Sequence, residues 1–133
     1  MRTERALYFV TWPNDTIVMI NETVKFRWLY EAKDMDVHIT WGTSKPNKKV
    51  RTFHEVFFTA RNYEENGEVV GSLEMPPRYR GRVEVIGQGR GDATMQIRNV
   101  TLGDEGSYLC EITDAFGGWD TLSRAVTLHV LGE

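Results

Sequence analysis

The sequence predicts an all-β domain, a sandwich or barrel of about nine short strands. Three observations carry this. Apolar residues recur with a period of two in several segments, the mark of half-buried strands. Turn-forming clusters such as "SKPNKK" (44–49) and "GQGRG" (87–91) separate those segments. No segment carries a convincing helical period.

In chain order, "ALYFVTW" (6–12) is aromatic and β-favouring until Pro13, which belongs at a strand edge or switch point. "TIVMI" (16–20) resumes. "TVKFRWLY" (23–30) places Val24, Phe26, Trp28 and Tyr30 on one face, and "DVHITWGT" (36–43) does the same with Val37, Ile39 and Trp41. "VRTFHEVFFTA" (50–60) is a strand with apolar residues in both phases: Phe53 and Phe57 in one, Val56 and Phe58 in the other. Residues 60–81 are the least regular, with a short strand expected near 68–72 and a loop through Pro76–Pro77. "GRVEVI" (81–86) precedes the glycine-rich turn. "DATMQIRNV" (92–100) alternates Ala93, Met95 and Ile97, "SYLCEIT" (107–113) alternates Tyr108, Cys110 and Ile112, and "TLSRAVTLHV" (121–130) turns Val126, Leu128 and Val130 inward.

A chain of 133 residues reads as one domain, 1–133 with its core in 6–131. That is long enough to bury a core without metals or crosslinks. A net charge of −3, from 16 basic and 19 acidic residues, argues against nucleic-acid binding. No apolar run is long enough to span a membrane, and "MRTERALYFV" is too polar for a signal peptide. The expectation is a domain cut from a longer cell-surface protein. Cys110 is the only cysteine, so no internal disulfide can form. Three Asn-x-Thr sequons, at Asn14, Asn21 and Asn99, point to an extracellular glycoprotein; six asparagines would give roughly one by chance. Asparagines placed at turns beside strand-opening threonines are the structural alternative.

Catalytic and metal constellations are missing from the pattern. His38, His54 and His129 stand on separate strands with no zinc-ligand spacing. No serine sits in a nucleophile elbow, and Glu64-Glu65 reads as a solvated loop. No enzyme, metal or cofactor is expected. Arg90-Gly91-Asp92 spells an integrin-type tripeptide, although Asp92 also has a structural reason to open a strand. Arg78, Arg80 and Arg82 read either as a polyanion site or as a loop with Arg82 committed elsewhere. Cys110 faces inward by phase and reads as a small buried hydrophobe.

Four features together resemble an immunoglobulin V-set domain. Tyr108 stands two residues before Cys110, in the tyrosine-corner position, and Asp104-x-Gly106-x-Tyr108-x-Cys110 matches the turn that precedes it. Trp41 stands where the family buries a tryptophan. Arg82 stands where the family places an arginine that pairs with the turn aspartate, here Asp104. The resemblance implies a V-type β-sandwich of two antiparallel sheets. The departure is Trp28, which occupies the place of the family's other cysteine; it is expected opposite Cys110, with its N–H bonded and small neighbours such as Ala93.

The resemblance also implies protein binding through the exposed sheet face that the family builds from strands G, F, C, C′ and C″. Residues expected there are Arg51, Phe53, Glu55, Phe57, Leu109, Glu111, Phe116, Trp119 and Arg124, with glycans at Asn21 and Asn99 off that face. The missing strand-B cysteine is similar to that of cnidarian allorecognition receptors, whose outermost domain binds its own type on an opposing cell. A homophilic adhesion domain, a heterophilic receptor or soluble binder, and a structural spacer all remain open.

Overall fold

The structure is a computed structural model that describes residues 6–45, 52–63, 69–115 and 120–132. Among the described residues there are ten strands: β1 (Ala6–Thr11), β2 (Thr16–Met19), β3 (Val24–Lys33), β4 (Val37–Ser44), β5 (Phe53–Asn62), β6 (Val69–Leu73), β7 (Val83–Gly89), β8 (Asp92–Ile97), β9 (Gly106–Asp114) and β10 (Thr121–Leu131). Single 3₁₀ turns occupy Pro77–Tyr79 and Leu102–Asp104. One sheet has four strands in the order β1-β3-β8-β7, the other six in the order β2-β10-β9-β4-β5-β6. All pairings are antiparallel except β2 with β10.

The sheets form because alternate residues are apolar. Val24, Phe26, Trp28 and Tyr30 of β3 and Ala93, Met95 and Ile97 of β8 are buried from one side. They face Val37, Ile39 and Trp41 of β4, Tyr108, Cys110 and Ile112 of β9, and Val126, Leu128 and Val130 of β10. Burying that many large side chains, at about 1.5–3 kcal/mol each, is the main favourable term. β7 runs on to Gly89, past the turn expected from its glycines, and the chain reverses at Arg90 and Gly91, both with positive φ. Gly89, at φ +138°, admits the Asn62 side chain: an added Cβ would lie 1.7 Å from Asn62 Oδ1. Asn62 in turn donates to the Gln88 carbonyl and accepts from the Arg90 amide, tying β5 to the β7–β8 hairpin.

β5 departs from simple alternation. Trp41 pairs with Phe58 and Gly42 with Val56, so Phe57 is an extra residue; Thr43 pairs with Glu55 and Ser44 with Phe53, so His54 is another. Two bulges therefore shift the phase twice. Gly42 permits the first: a Cβ there would lie 2.0 Å from the Glu55 carbonyl oxygen and 2.9 Å from Phe53 Cδ1.

Candidate functional site

Two ties cross the sandwich. The Trp28 indole is fully buried, and its Nε1–H donates to the Arg124 carbonyl at 3.1 Å. Arg124 is the register partner of Cys110 on β10, and Trp41 is the partner of Cys110 on β4. The indole thus reaches the opposite sheet at the height of the thiol. Ala93, the cross-strand neighbour of Trp28, leaves room for the ring. Burial pushes the Cys110 thiol well above its ordinary range, which keeps it an uncharged core group.

The second tie is Arg82 to Asp104. Its fork is bidentate, with Nη1 to Oδ2 at 2.6 Å and Nη2 to Oδ1 at 3.0 Å. The guanidinium also donates to the Asn99 and Arg78 carbonyls. Asp104 additionally accepts from the Thr101 amide, and its own carbonyl accepts from the Tyr108 hydroxyl. Burial opposes the carboxylate charge, but the Arg82 and Thr101 hydrogen bonds outweigh it and hold the carboxyl below its ordinary value. Burial pushes the Tyr108 phenol far up, so it stays a donor. An aromatic series runs through the core from Trp28 to Phe26, Tyr108, Phe57 and Tyr79.

The outer face of the six-stranded sheet follows from the registers. Inward Trp41, Cys110 and Ile112 leave the alternate positions pointing out. One row reads Thr121, Thr113, His38, Arg61 and Val70. The next reads Ser123, Glu111, Thr40, Thr59 and Ser72, and a third reads Ala125, Leu109, Gly42 and Val56. Phe53 is half-buried and lies over Gly42. The face is a floor of threonine, serine and small apolar side chains, with Glu111, Arg61 and His38 as the titratable groups in these rows.

Several expectations for this face are corrected. Phe57 is fully buried, packed edge-on to Tyr79 at 4.7 Å, because the bulge turns it inward beside Phe58. Glu55 is likewise turned toward the bottom rim, where it binds Arg78 at 2.6 Å and receives the Thr43 hydroxyl. Leu109 keeps the outward phase but has no exposed surface, so it is floor and not contact. Arg124 shares the inward phase of Val126, and its guanidinium stacks 3.8 Å from the Trp12 ring centroid. Glu111 and Phe53 remain on the face. Arg51, Phe116 and Trp119 lie outside the described residues. Neither His38, weighed only as a zinc ligand, nor Arg61 is expected on this face from sequence; alternation places His38 opposite Val37 and Ile39, while Arg61 falls in the irregular stretch.

Burial raises the Glu111 carboxyl above its ordinary value. Among the described residues no donor pairs with it. The other candidates are occupied. Asp92 accepts from the Thr94 hydroxyl, so the Arg90–Asp92 tripeptide does not hold a free carboxylate. Arg80 donates to the Met75 carbonyl, and Arg78 and Arg82 are paired. Asn14, Asn21 and Asn99 are exposed and lie outside the strands of this face; Asn21 and Asn99 adopt positive φ, a backbone role for both. A pocket of about 210 Å³ at the bottom rim is lined by Thr43, Ser44, His54, Arg78 and Tyr79 among others, smaller than most small-molecule sites. Among the described residues no cluster of His, Cys, Asp and Glu could hold a metal ion, and no helix is long and apolar enough to cross a membrane.

Comparison with known proteins gives concordant results. The family model described as "Immunoglobulin V-set domain" matches residues 11–131. Butyrophilin-like protein 1 of Mus musculus is 32% identical over 98 residues, covering 72% of this chain and 16% of that protein. Myelin-oligodendrocyte glycoprotein of Callithrix jacchus is 30% identical over 86 residues, covering 63% of this chain and 35% of that protein. The chain therefore matches only a minor part of each relative's length. Among solved structures, VCBP3 domain 1 from Branchiostoma floridae superposes with a TM-score of 0.71 at 18% identity, covering 96% of this chain and 97% of that chain.

Proposed function

This chain belongs to the immunoglobulin V-set family, and from that premise we propose that it is an extracellular cell–cell recognition domain whose partner is a second copy of itself on an opposing cell. The family's domains are typically binding modules without enzymatic activity, and the relatives are receptor-type proteins. Fold alone does not choose a partner. The observation that carries the reading is the outer face of the six-stranded sheet. Its described rows are largely threonine, serine and small apolar side chains; the titratable groups in those rows, Glu111, Arg61 and His38, are of both signs; and no sequon asparagine stands on its strands. A surface of that kind suits close apposition of a second sheet, and mixed charges on one face suit self-complementarity. Membrane anchoring of a parent chain, glycans at Asn14, Asn21 and Asn99, and discrimination of self from non-self belong to the same proposal.

The test is bead aggregation with this protein on both bead sets, alongside sedimentation of the free domain. Self-aggregation and concentration-dependent dimerisation are expected. Beads that ignore one another but bind cells lacking the protein would replace the homophilic reading with a heterophilic one, and beads that do neither would leave a spacer.

A further inference from the structure

We propose that Glu111 determines the specificity of the outer face by receiving the Arg61 guanidinium of a second copy, each copy supplying one of each. The inference rests on the homophilic reading above and names its contact. Glu111 stands on β9 and Arg61 on β5, two strands away across β4 and one row up. Two strand spacings are roughly 10 Å, and no ion pair joins the two within one copy. A two-fold axis lying in the interface and passing over β4 between His38 and Thr40 exchanges the two positions. Each Glu111 then faces an Arg61 of the other copy, and the pair forms twice, as an isologous contact requires. The floor between them is Thr40 and Thr59, short enough to let the sheets approach.

Two further observations favour this role. Glu111 is half-buried and has no donor among the described residues, so the free domain carries a carboxylate partly stripped of water and given nothing in return. A group like that, placed centrally on a binding face, is poised for an incoming cation. Arg61 lies with its guanidinium 5.0 Å from the Tyr63 ring centroid and has a further interaction within its own copy, and a guanidinium with five N–H donors can serve a second acceptor besides. The raised carboxyl also has a sign consequence. The folded chain disfavours the Glu111 charge relative to the unfolded chain, so removing that charge should not weaken the fold while it weakens association.

The experiment is sedimentation of the whole chain and four samples derived from it: Glu111→Gln, Glu111→Arg, Arg61→Glu, and an equimolar mixture of the last two. The wild type is expected to dimerise. Glu111→Gln should bind itself about tenfold more weakly or worse, with a melting temperature at or above that of the wild type. Glu111→Arg and Arg61→Glu should each be monomeric, and their mixture should recover the dimer. A wild-type dimer that Glu111→Gln and Glu111→Arg leave unchanged overturns the inference and leaves the homophilic reading standing. A mixture of folded variants that stays monomeric overturns the Arg61 assignment. A wild type that never dimerises overturns both, and shows it before any substitution is made. The two Glu111 variants decide the role of the carboxylate alone if Arg61→Glu does not fold.

Discussion

Replacing Trp28 by cysteine tests how the sandwich holds together without its disulfide. The indole is fully buried and donates to the Arg124 carbonyl. Truncating a buried tryptophan costs about 3–5 kcal/mol, and the orphaned carbonyl is part of that loss. A bond from position 28 to Cys110 would close a loop of roughly 80 residues, worth about 4.5 kcal/mol in the chain-entropy account. For a chain of 133 residues the unfolding entropy is roughly 0.3 kcal/mol per kelvin, so each kcal/mol moves the melting temperature by about 3–4 °C. Oxidised Trp28→Cys should therefore melt near the wild type, and the reduced form about 15 °C lower.

The assay is thermal unfolding by circular dichroism with and without reductant, with free thiols counted by mass after alkylation. The two sheets must draw together to bring the Cα atoms within the 4.4–6.8 Å range that a disulfide tolerates, which loss of the indole allows. Two free thiols in the folded, oxidised variant, or a melting temperature indifferent to reductant, would refute the placement of Trp28 against Cys110.

Arg82→Ala should cost about 2–4 kcal/mol at neutral pH by stranding a nearly buried carboxylate. Because the folded Asp104 carboxyl lies below its ordinary 3.8, its contribution is full above about pH 4 and is lost as pH falls through the depressed value; in the variant, acid unfolding measured by fluorescence should begin at higher pH. Gly42→Ala should destabilise by about 2–3 kcal/mol in urea melts, since its Cβ meets the Glu55 carbonyl at 2.0 Å; an unchanged midpoint would mean β5 has no bulge there. The Cys110 thiol, buried and raised in pKa, should react with a thiol reagent only as the protein opens, so labelling rates measured against urea should follow unfolding; rapid labelling in native buffer would contradict its burial.

Much of the fold is legible from sequence because one face of each central strand meets the core. The period of two in β3, β4, β8 and β10 is the direct record of that contact. The Asp104–Cys110 turn is legible for another reason: its contacts are local, with the Tyr108 hydroxyl reaching only four residues back. The candidate face is less legible. Alternation through 53–58 cannot assign Phe57, because the bulges depend on Gly42 across the pairing and not on the β5 sequence alone. The cover over Leu109 is likewise a property of its neighbours. Arg124 is different: its inward phase is readable, two residues before Val126, although the family resemblance places it on the face. Stacking on Trp12 explains how the chain tolerates that charge there.

The two bulges in β5 link the core to the outer face of the six-stranded sheet. Had β5 kept strict alternation from Phe58 back to Phe53, Phe57 would stand outside on the sheet. The first bulge instead sends Phe57 inward to Tyr79 and Tyr108, and gives its core layer an aromatic contact with the 3₁₀ turn at 77–79. The same shift sends Glu55 to Arg78 and off the face. The second bulge restores the outward phase in time for Phe53 to cover Gly42. What stays outside is a floor of threonine and serine around Glu111 and Arg61. Under the proposed contact, changes at Glu111 would alter partner choice at little cost to the core, because neither it nor its immediate neighbours on the face belong to the Trp28–Cys110 or Arg82–Asp104 ties.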